Sequence, residues 1–268
     1  MLSFDGTPSS FVALEWAAHR ASLRDSSIEI LMGGSGLLPI DFGADAALIR
    51  AERRIYEIAP GCPVTSVRWS SRMPARMYER TRDANLIVIG ASRVRRLRAT
   101  VPSWPHPRLS EHCRMPVVMV PDVWEPRSGP IIIGLDDDDS SLAALEFAAA
   151  EAAAAENPLS VVHAWEMPSP RFEGSITLLA SPISVRAEHR MLLRVAAQRV
   201  WDSVPGVMVD QQLIQDDPVA ALLQGAGSAS MLVLGTQHRG LLAGASLGPI
   251  GQAVLRESPV PVCVVPRR

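Results

Sequence analysis

Apolar and polar positions follow two textures that alternate along the chain. Short β-branched runs at Ile131 to Leu135, Leu159 to His163, Val207 to Ile214, Leu232 to Leu234 and Val260 to Val265 are separated by stretches with helical spacing. Those stretches are Ser140 to Glu156, Val185 to Val204, Pro218 to Gln224 and Pro249 to Glu257. The β-branched runs do not alternate polar with apolar, so both faces are buried, as parallel strands between two helical layers require. Strict alternation of strand and helix predicts a doubly wound α/β sheet. The first half runs the same way, except that its opening strand is only Met1 to Phe4. A central strand that short implies a misplaced start or a weakened edge.

The pattern is also repeated in letters. Asp5-Gly6-Thr7-Pro8-Ser9-Ser10 and the following helix to Ala18 recur as Asp136-Asp137-Asp138-Asp139-Ser140-Ser141 and a helix to Ala149. Leu86 to Gly90 answers Met231 to Gly235, and Pro116 to Pro121 answers Pro261 to Pro266. Such self-similarity means two copies of one unit in tandem. The offset is 131 residues at the front of the copies and 145 at the back, so about fourteen residues were gained in copy two or lost from copy one. The extra residues are expected in a loop from Glu166 to Pro182, where Pro168, Pro170 and Pro182 interrupt regular structure. The expected division is residues 1–123, a linker at 124–130 and residues 131–268. Two domains with five parallel strands each, and with their own cores, fit 268 residues that are 47% hydrophobic.

Composition removes several chemistries. The sequence contains no lysine, so all 26 basic residues are arginine. That leaves no P-loop lysine, no Schiff-base amine and no lysine to hold a phosphoaspartate. A net charge of −2 gives no general attraction to nucleic acid, although Arg93, Arg95, Arg96 and Arg98 form a locally basic loop. No apolar stretch reaches the ~20 residues of a membrane span, and the N-terminus lacks a basic region followed by an apolar one. Cys62, Cys113 and Cys263 form no CxxC pair and fit a reduced, cytoplasmic setting. Cys62 sits in a Gly-Cys-Pro turn, so it has no context for nucleophilic catalysis.

An Asp closing the first strand and a Ser-Ser helix start occur in both passes, and copy two adds a strand-four Gly opening a Gly-rich loop and a final Pro-Val-x-Val-Val-Pro strand. In this combination the chain resembles the universal stress protein family, of the tandem type, over essentially its whole length. The resemblance implies domains of the adenine nucleotide α-hydrolase-like fold and a stress-response regulator rather than an enzyme, with at most slow incidental ATP hydrolysis. It also implies ATP held by a loop of pattern G-x2-G-x9-G-[S/T], and Asp136 touching adenine. Physically, ligands in open α/β sheets collect at the carboxyl ends of strands beside the switch point, glycines let backbone N–H groups approach phosphate, and a helix N-terminus favours anions.

In copy two the expected site comprises Gly134 and Asp136, then Gly235, Thr236, His238, Arg239 and Gly240, then Gly248, Pro249, Ile250 and Gly251 at the next helix start. His238 stands where the pattern has its second glycine, and Pro249 where it has a hydroxyl. The His238 Cβ and ring occupy space a phosphate would use, and Pro249 suits a helix start but removes an N–H. Losing one or two donors worth ~1.5–3 kcal/mol each weakens ATP by roughly ten-fold to several-thousand-fold. Arg239 adds a charged donor beside the loop. Copy one has lost the loop, because Gly90 is followed by Arg93, Ser103, Trp104, Pro105 and Pro107 at the matching places. Asp136 read on its own is a turn or capping acid, Asp137 to Asp139 are acids at a helix N-terminus, His163 is a packing residue and Gly33-Gly34-Ser35-Gly36 is a flexible loop.

Two readings stay open. One is a regulatory protein binding adenine nucleotide weakly in copy two alone, with or without Mg²⁺; the other is a degenerate interaction module of the same fold acting through an unidentified protein partner. The two final strands are expected to pair into an intramolecular pseudo-dimer. A homodimer is expected through the surface around Trp69, Trp104 and Trp124.

Overall fold

The computed structural model describes residues 1–33, 42–69, 84–91, 115–136, 140–167, 171–173, 176–178, 181–236 and 248–267. The first half contributes β1 (Leu2–Phe4), α1 (Pro8–Ser22), β2 (Ile28–Gly33), α2 (Phe42–Ile58), β3 (Val64–Trp69), β4 (Ile87–Ala91) and β5 (Val117–Pro121). The second half contributes β6 (Ile131–Gly134), α3 (Ser140–Ala154), β7 (Leu159–Ala164), β8 (Arg171–Glu173), β9 (Ile176–Leu178), α4 (Pro182–Ser203), β10 (Val209–Ile214), α5 (Pro218–Ala226), β11 (Met231–Thr236), α6 (Gly248–Glu257) and β12 (Val262–Pro266). The basic loop at Arg93 to Arg98, Ser103 to Pro107 with Trp104, Gly34 to Gly36, Cys113, Asp137 to Asp139 and His238 to Gly240 lie outside the described residues.

Three helices start on a polar residue followed by proline. Thr7 caps α1 by accepting from the Ser10 N–H, and Asp217 caps α5 by accepting from the N–H groups of Val219 and Ala220 at 2.9 and 3.1 Å. Ser181-Pro182 opens α4 three residues before the expected Val185. Proline at the first helical position sacrifices no hydrogen bond and presets φ, which is why these dipeptides outweigh the later onset of apolar periodicity.

The strands form one ten-stranded sheet in the order β10-β7-β6-β11-β12-β5-β4-β1-β2-β3. Within each half all neighbours are parallel, and β1 is a three-residue strand held between β2 and β4. The halves meet where β12 pairs antiparallel with β5, Val262 opposite Met119, Cys263 opposite Val118 and Val264 opposite Val117. Val118 and Cys263 are separated by the 145-residue offset of the repeat, so one position faces its own counterpart there and a pseudo-twofold axis passes between them.

The expectation of two separate cores is not met. One cluster of buried residues contains Leu2, Phe4, Leu14 and Val118 together with Ile133, Leu145, Val161 and Cys263. Buried alanines explain the continuity: Ala13, Ala17, Ala18 and Ala21 on α1 and Ala144, Ala148, Ala149 and Ala152 on α3 let both helices sit close to the shared sheet. The opposite face of the second half has its own cluster, including Ile132, Val162, Leu222, Leu232 and Val254, beneath α5 and α6.

The extra residues of copy two also differ from expectation. In place of an irregular loop, β8 and β9 pair antiparallel, Phe172 opposite Thr177. Gly174-Ser175 between two short β-prone runs is a hairpin signal that the prolines on either side obscure. The linker is held against both halves: Trp124 is buried edge-on to His19 with ring centroids 5.9 Å apart, and Arg127 donates to the Gly227 carbonyl at 3.3 Å. Trp124 is thus spent inside the chain and offers no surface to a second copy, while Trp201 on α4 is 44% exposed. Among the described residues no helix is long and apolar enough to cross a membrane.

Two outcomes follow from this packing. A Cβ at Gly90 would stand 2.2 Å from the Ser9 carbonyl oxygen, whereas one at Gly61 meets nothing within 4 Å. Urea unfolding of Gly90→Ala should therefore show a loss of about 1–3 kcal/mol or more, with Gly61→Ala within about 0.5 kcal/mol of the parent. The Cys263 thiol is fully buried, and burial raises its pKa well above the ordinary value. Its stability contribution is complete below the unfolded thiol value of about 8.5 and is lost as pH rises toward the raised folded value. Mass-spectrometric mapping after iodoacetamide treatment should find Cys263 alkylated only under denaturing conditions; rapid native labelling would contradict its burial.

Candidate functional site

In the second half the chain moves outward from β6 through β7 to β10, then crosses back to place β11 on the other side of β6. The switch point lies between β6 and β11, where Gly134 is opposite Leu234. Carboxyl ends of strands at such a point leave a crevice because the connections depart in opposite directions. Gly134 and Asp136 stand at one lip, and Gly235 and Thr236 at the other. The sequence-predicted residues from β6 and β11 are thus brought together.

The β6 lip is built by short bonds. The Leu135 N–H donates to the Val162 carbonyl at 2.9 Å, which extends the ladder past the end of β6. The Asp136 N–H donates to Ser141 Oγ at 2.9 Å, which ties the turn to the first turn of α3. Ser141 is buried whereas Asp136 is exposed, so the turn is anchored from beneath. Across the crevice Thr236 is buried, and its carbonyl accepts from the Arg267 N–H at 3.1 Å.

A second group adjoins the β6 lip, and of its members only His163 is singled out in the sequence. His163 on β7 is 4% exposed, and its Nδ1 is 2.8 Å from the Leu135 carbonyl oxygen. Its Nε2 is 2.7 Å from Nδ1 of His189 on α4. The carbonyl can only accept, so a neutral His163 carries its proton on Nδ1, accepts on Nε2, and obliges His189 to donate from Nδ1. Trp165 stacks beside His189 with centroids 5.3 Å apart and planes tilted by 33°. His163 is therefore a support for the backbone just before Asp136, which agrees with a packing role. His189 and Trp165 gave no pattern to find, because their partner is 26 residues away in sequence from one and on a different element.

Further round the site, Gly248 opens α6 with φ at +66°, a left-handed backbone that favours glycine. Pro249 and Ile250 are exposed in the first turn of α6 and Gly251 is buried. Their N–H groups are those a helix start offers to an anion, less the one that Pro249 lacks.

Copy one presents a different arrangement at the matching switch point between β1 and β4. Asp5 accepts from the Thr7 N–H at 3.0 Å and from the Thr7 hydroxyl, while Gly6 turns the chain with φ at +76°. The acid that corresponds to Asp136 is thereby engaged in the turn that starts α1. The Ser9 carbonyl fills the space beside Gly90.

Other chemistry is sparse. Among the described residues no three of His, Cys, Asp and Glu gather as a metal site would require. Burial raises the Cys62 thiol pKa, and Cys62 Sγ lies 3.3 Å from the Ser26 carbonyl oxygen, so it is poorly suited to act as a nucleophile. A groove of about 410 Å³ lined by residues 21–26 and 59–62 lies at the amino ends of β2 and β3, away from the carboxyl ends where the crevices are.

Comparison with known proteins agrees with this architecture. The model of the universal stress protein family matches residues 128–266, just over half of the chain. A universal stress protein of Mycobacterium tuberculosis is 25% identical over 290 residues, covering 98% of this chain and 95% of that protein. One of Mycobacterium bovis is 23% identical over 300 residues, covering 98% and 93%. In fold, the crystal structure of a universal stress protein from Archaeoglobus fulgidus superposes with a TM-score of 0.68 at 18% identity, covering 100% of this chain and 98% of that one. With a repeated α/β unit, a crevice at each switch point and relatives that span its length, the chain belongs to the universal stress protein family.

Proposed function

We propose that the protein is a regulator with a single, weak adenine-nucleotide site in its second half and none in its first. The observation that supports this most directly is the switch point of the second half, where Gly134 and Asp136 on β6 stand across from Gly235 and Thr236 on β11 and Gly248 opens α6 with φ at +66°. In the first half the residue matching Gly248 is Ser103, followed by Trp104. In this reading residues 1–123 and 131–268 are two units of one ancestry, joined by 124–130, and the first has become a structural partner of the second.

The base end of the ligand rests near Asp136 and Gly134. Phosphates lie along Gly235, Thr236, His238, Arg239 and Gly240 toward the α6 start at Gly248, Pro249, Ile250 and Gly251. ATP is the expected nucleotide, with Mg²⁺ accompanying its phosphates. No catalytic role is assigned, the setting is cytoplasmic, and signalling passes through a protein partner or a homodimer.

Calorimetric titration with ATP, ADP, AMP and cyclic AMP, with and without Mg²⁺, tests the reading. The decisive variant is His238→Gly with Pro249→Ser, which returns a small residue, an N–H and a hydroxyl. It should tighten ATP by at least roughly ten-fold, about 1.4 kcal/mol. No binding in parent or variant would leave the same fold acting as an interaction module without nucleotide.

A further inference from the structure

Arg20 and Glu151 occupy the same position of the repeat, 131 residues apart, and they meet. Arg20 Nε and Nη2 donate to Glu151 Oε2 and Oε1 at 2.9 and 2.7 Å, a two-point contact between α1 and α3. The Glu151 side chain is 8% exposed and that of Arg20 20%. Arg24 adds Nη2 at 3.3 Å from Glu151 Oε1 and donates to the Ala150 carbonyl. The repeat counterpart of Arg24 is Ala155, so copy one brings two guanidinium groups to the pseudo-twofold axis and copy two brings one carboxylate.

The backbone beneath has no such polarity. Antiparallel pairing centred on Val118 and Cys263 satisfies the same N–H and C=O groups whether β5 meets β12, β5 meets another β5, or β12 meets another β12. Val117-Val118-Met119-Val120 and Val262-Cys263-Val264-Val265 are both uncharged and apolar, so no pairing of the three is set apart by charge within the strands. The side chains above them are not. Two first copies would bring Arg20 and Arg24 twice with no carboxylate from these positions, and two second copies would bring Glu151 against Glu151 with no cation.

We propose that the Arg20–Glu151–Arg24 cluster is a pairing code that admits an unlike half across the β5–β12 edge and rejects a like half from a second copy of this chain. Replacing a buried ion pair by apolar groups of similar size is often neutral or stabilising, so its specificity matters here more than any strength it adds. Like charges placed against one another across an interface are what suppress a wrong partner. In an ordinary twofold dimer this code is unavailable, since each position meets itself. Tandem fusion makes it available.

The test uses the full chain with Cys62→Ser, Cys113→Ser and Val118→Cys, so that thiols remain only at 118 and 263. The protein is refolded from denaturant over a range of concentrations in the presence of diamide, and linked peptides are identified by mass spectrometry. Raising the concentration lets pairing between chains compete with the tether. The parent should give the 118–263 linkage almost alone. Arg20→Met, Glu151→Met and Arg24→Ala together should raise the 263–263 and 118–118 shares by at least about ten-fold, while Arg20→Glu and Glu151→Arg with Arg24→Ala should restore the parent's shares. A merely structural role would change the total yield and leave the ratio of linkages unmoved. Should that variant fail to fold, Glu151→Gln alone should raise the 263–263 share by a similar factor and leave 118–118 suppressed, because two first copies still bring four guanidinium groups together. A parent in which 118–263 does not dominate, or neutral variants with the parent's shares, overturns the proposal.

Discussion

The pairing of β5 with β12 is the contact on which the remaining architecture rests. It is the one antiparallel step between adjacent strands of the ten-stranded sheet, and an antiparallel step between two copies of one unit generates a twofold relation. That relation puts α1 and α3 on the same face, where their alanine-rich sides continue one buried cluster. The same step fixes which side chains reach the axis. Neither half presents a solvated edge at its final strand, because each is the other's neighbour.

Much of this order was legible in the residues. Apolar runs without alternation pointed to strands covered on both faces, and Pro218 marked the start of α5, whereas the expected start of α4 at Val185 passed over Ser181-Pro182. The hairpin of β8 and β9 was missed because three residues are too few to display a period, and the nearby prolines argued for irregular structure. The shared core was missed for another reason. Composition counts apolar residues but does not say on which side of an interface they lie.

The candidate site divides in the same way. That Asp136 and Gly235 fall on either side of one switch point was legible because strand ends and switch points follow from element order. The support behind them was not, since the link from Leu135 through His163 to His189 joins a strand end, its neighbour and a helix beyond the inserted segment. The axis pair was available in the repeat itself: aligning the copies at their 131-residue offset sets Arg20 against Glu151, an exchange of sign within an otherwise similar helix. Reading a duplication for its differences, as well as its agreements, exposes contacts that periodicity cannot.

The two outer edges of the sheet differ from the two inner ones. On β10 the side chains of Asp210, Gln211 and Gln212 are exposed, and on β3 those of Thr65, Ser66 and Arg68 are exposed. Polar, charged edges of this kind resist the addition of further strands. The inner edges, Val117 to Val120 and Val262 to Val265, carry no such protection, and they are safe only while joined. Opening of the molecule at its middle, with each half still folded, would uncover two short apolar strand templates on every chain. Heat inactivation would then be governed by the rate at which the halves part and their edges find those of other molecules, and would become irreversible before either half had melted.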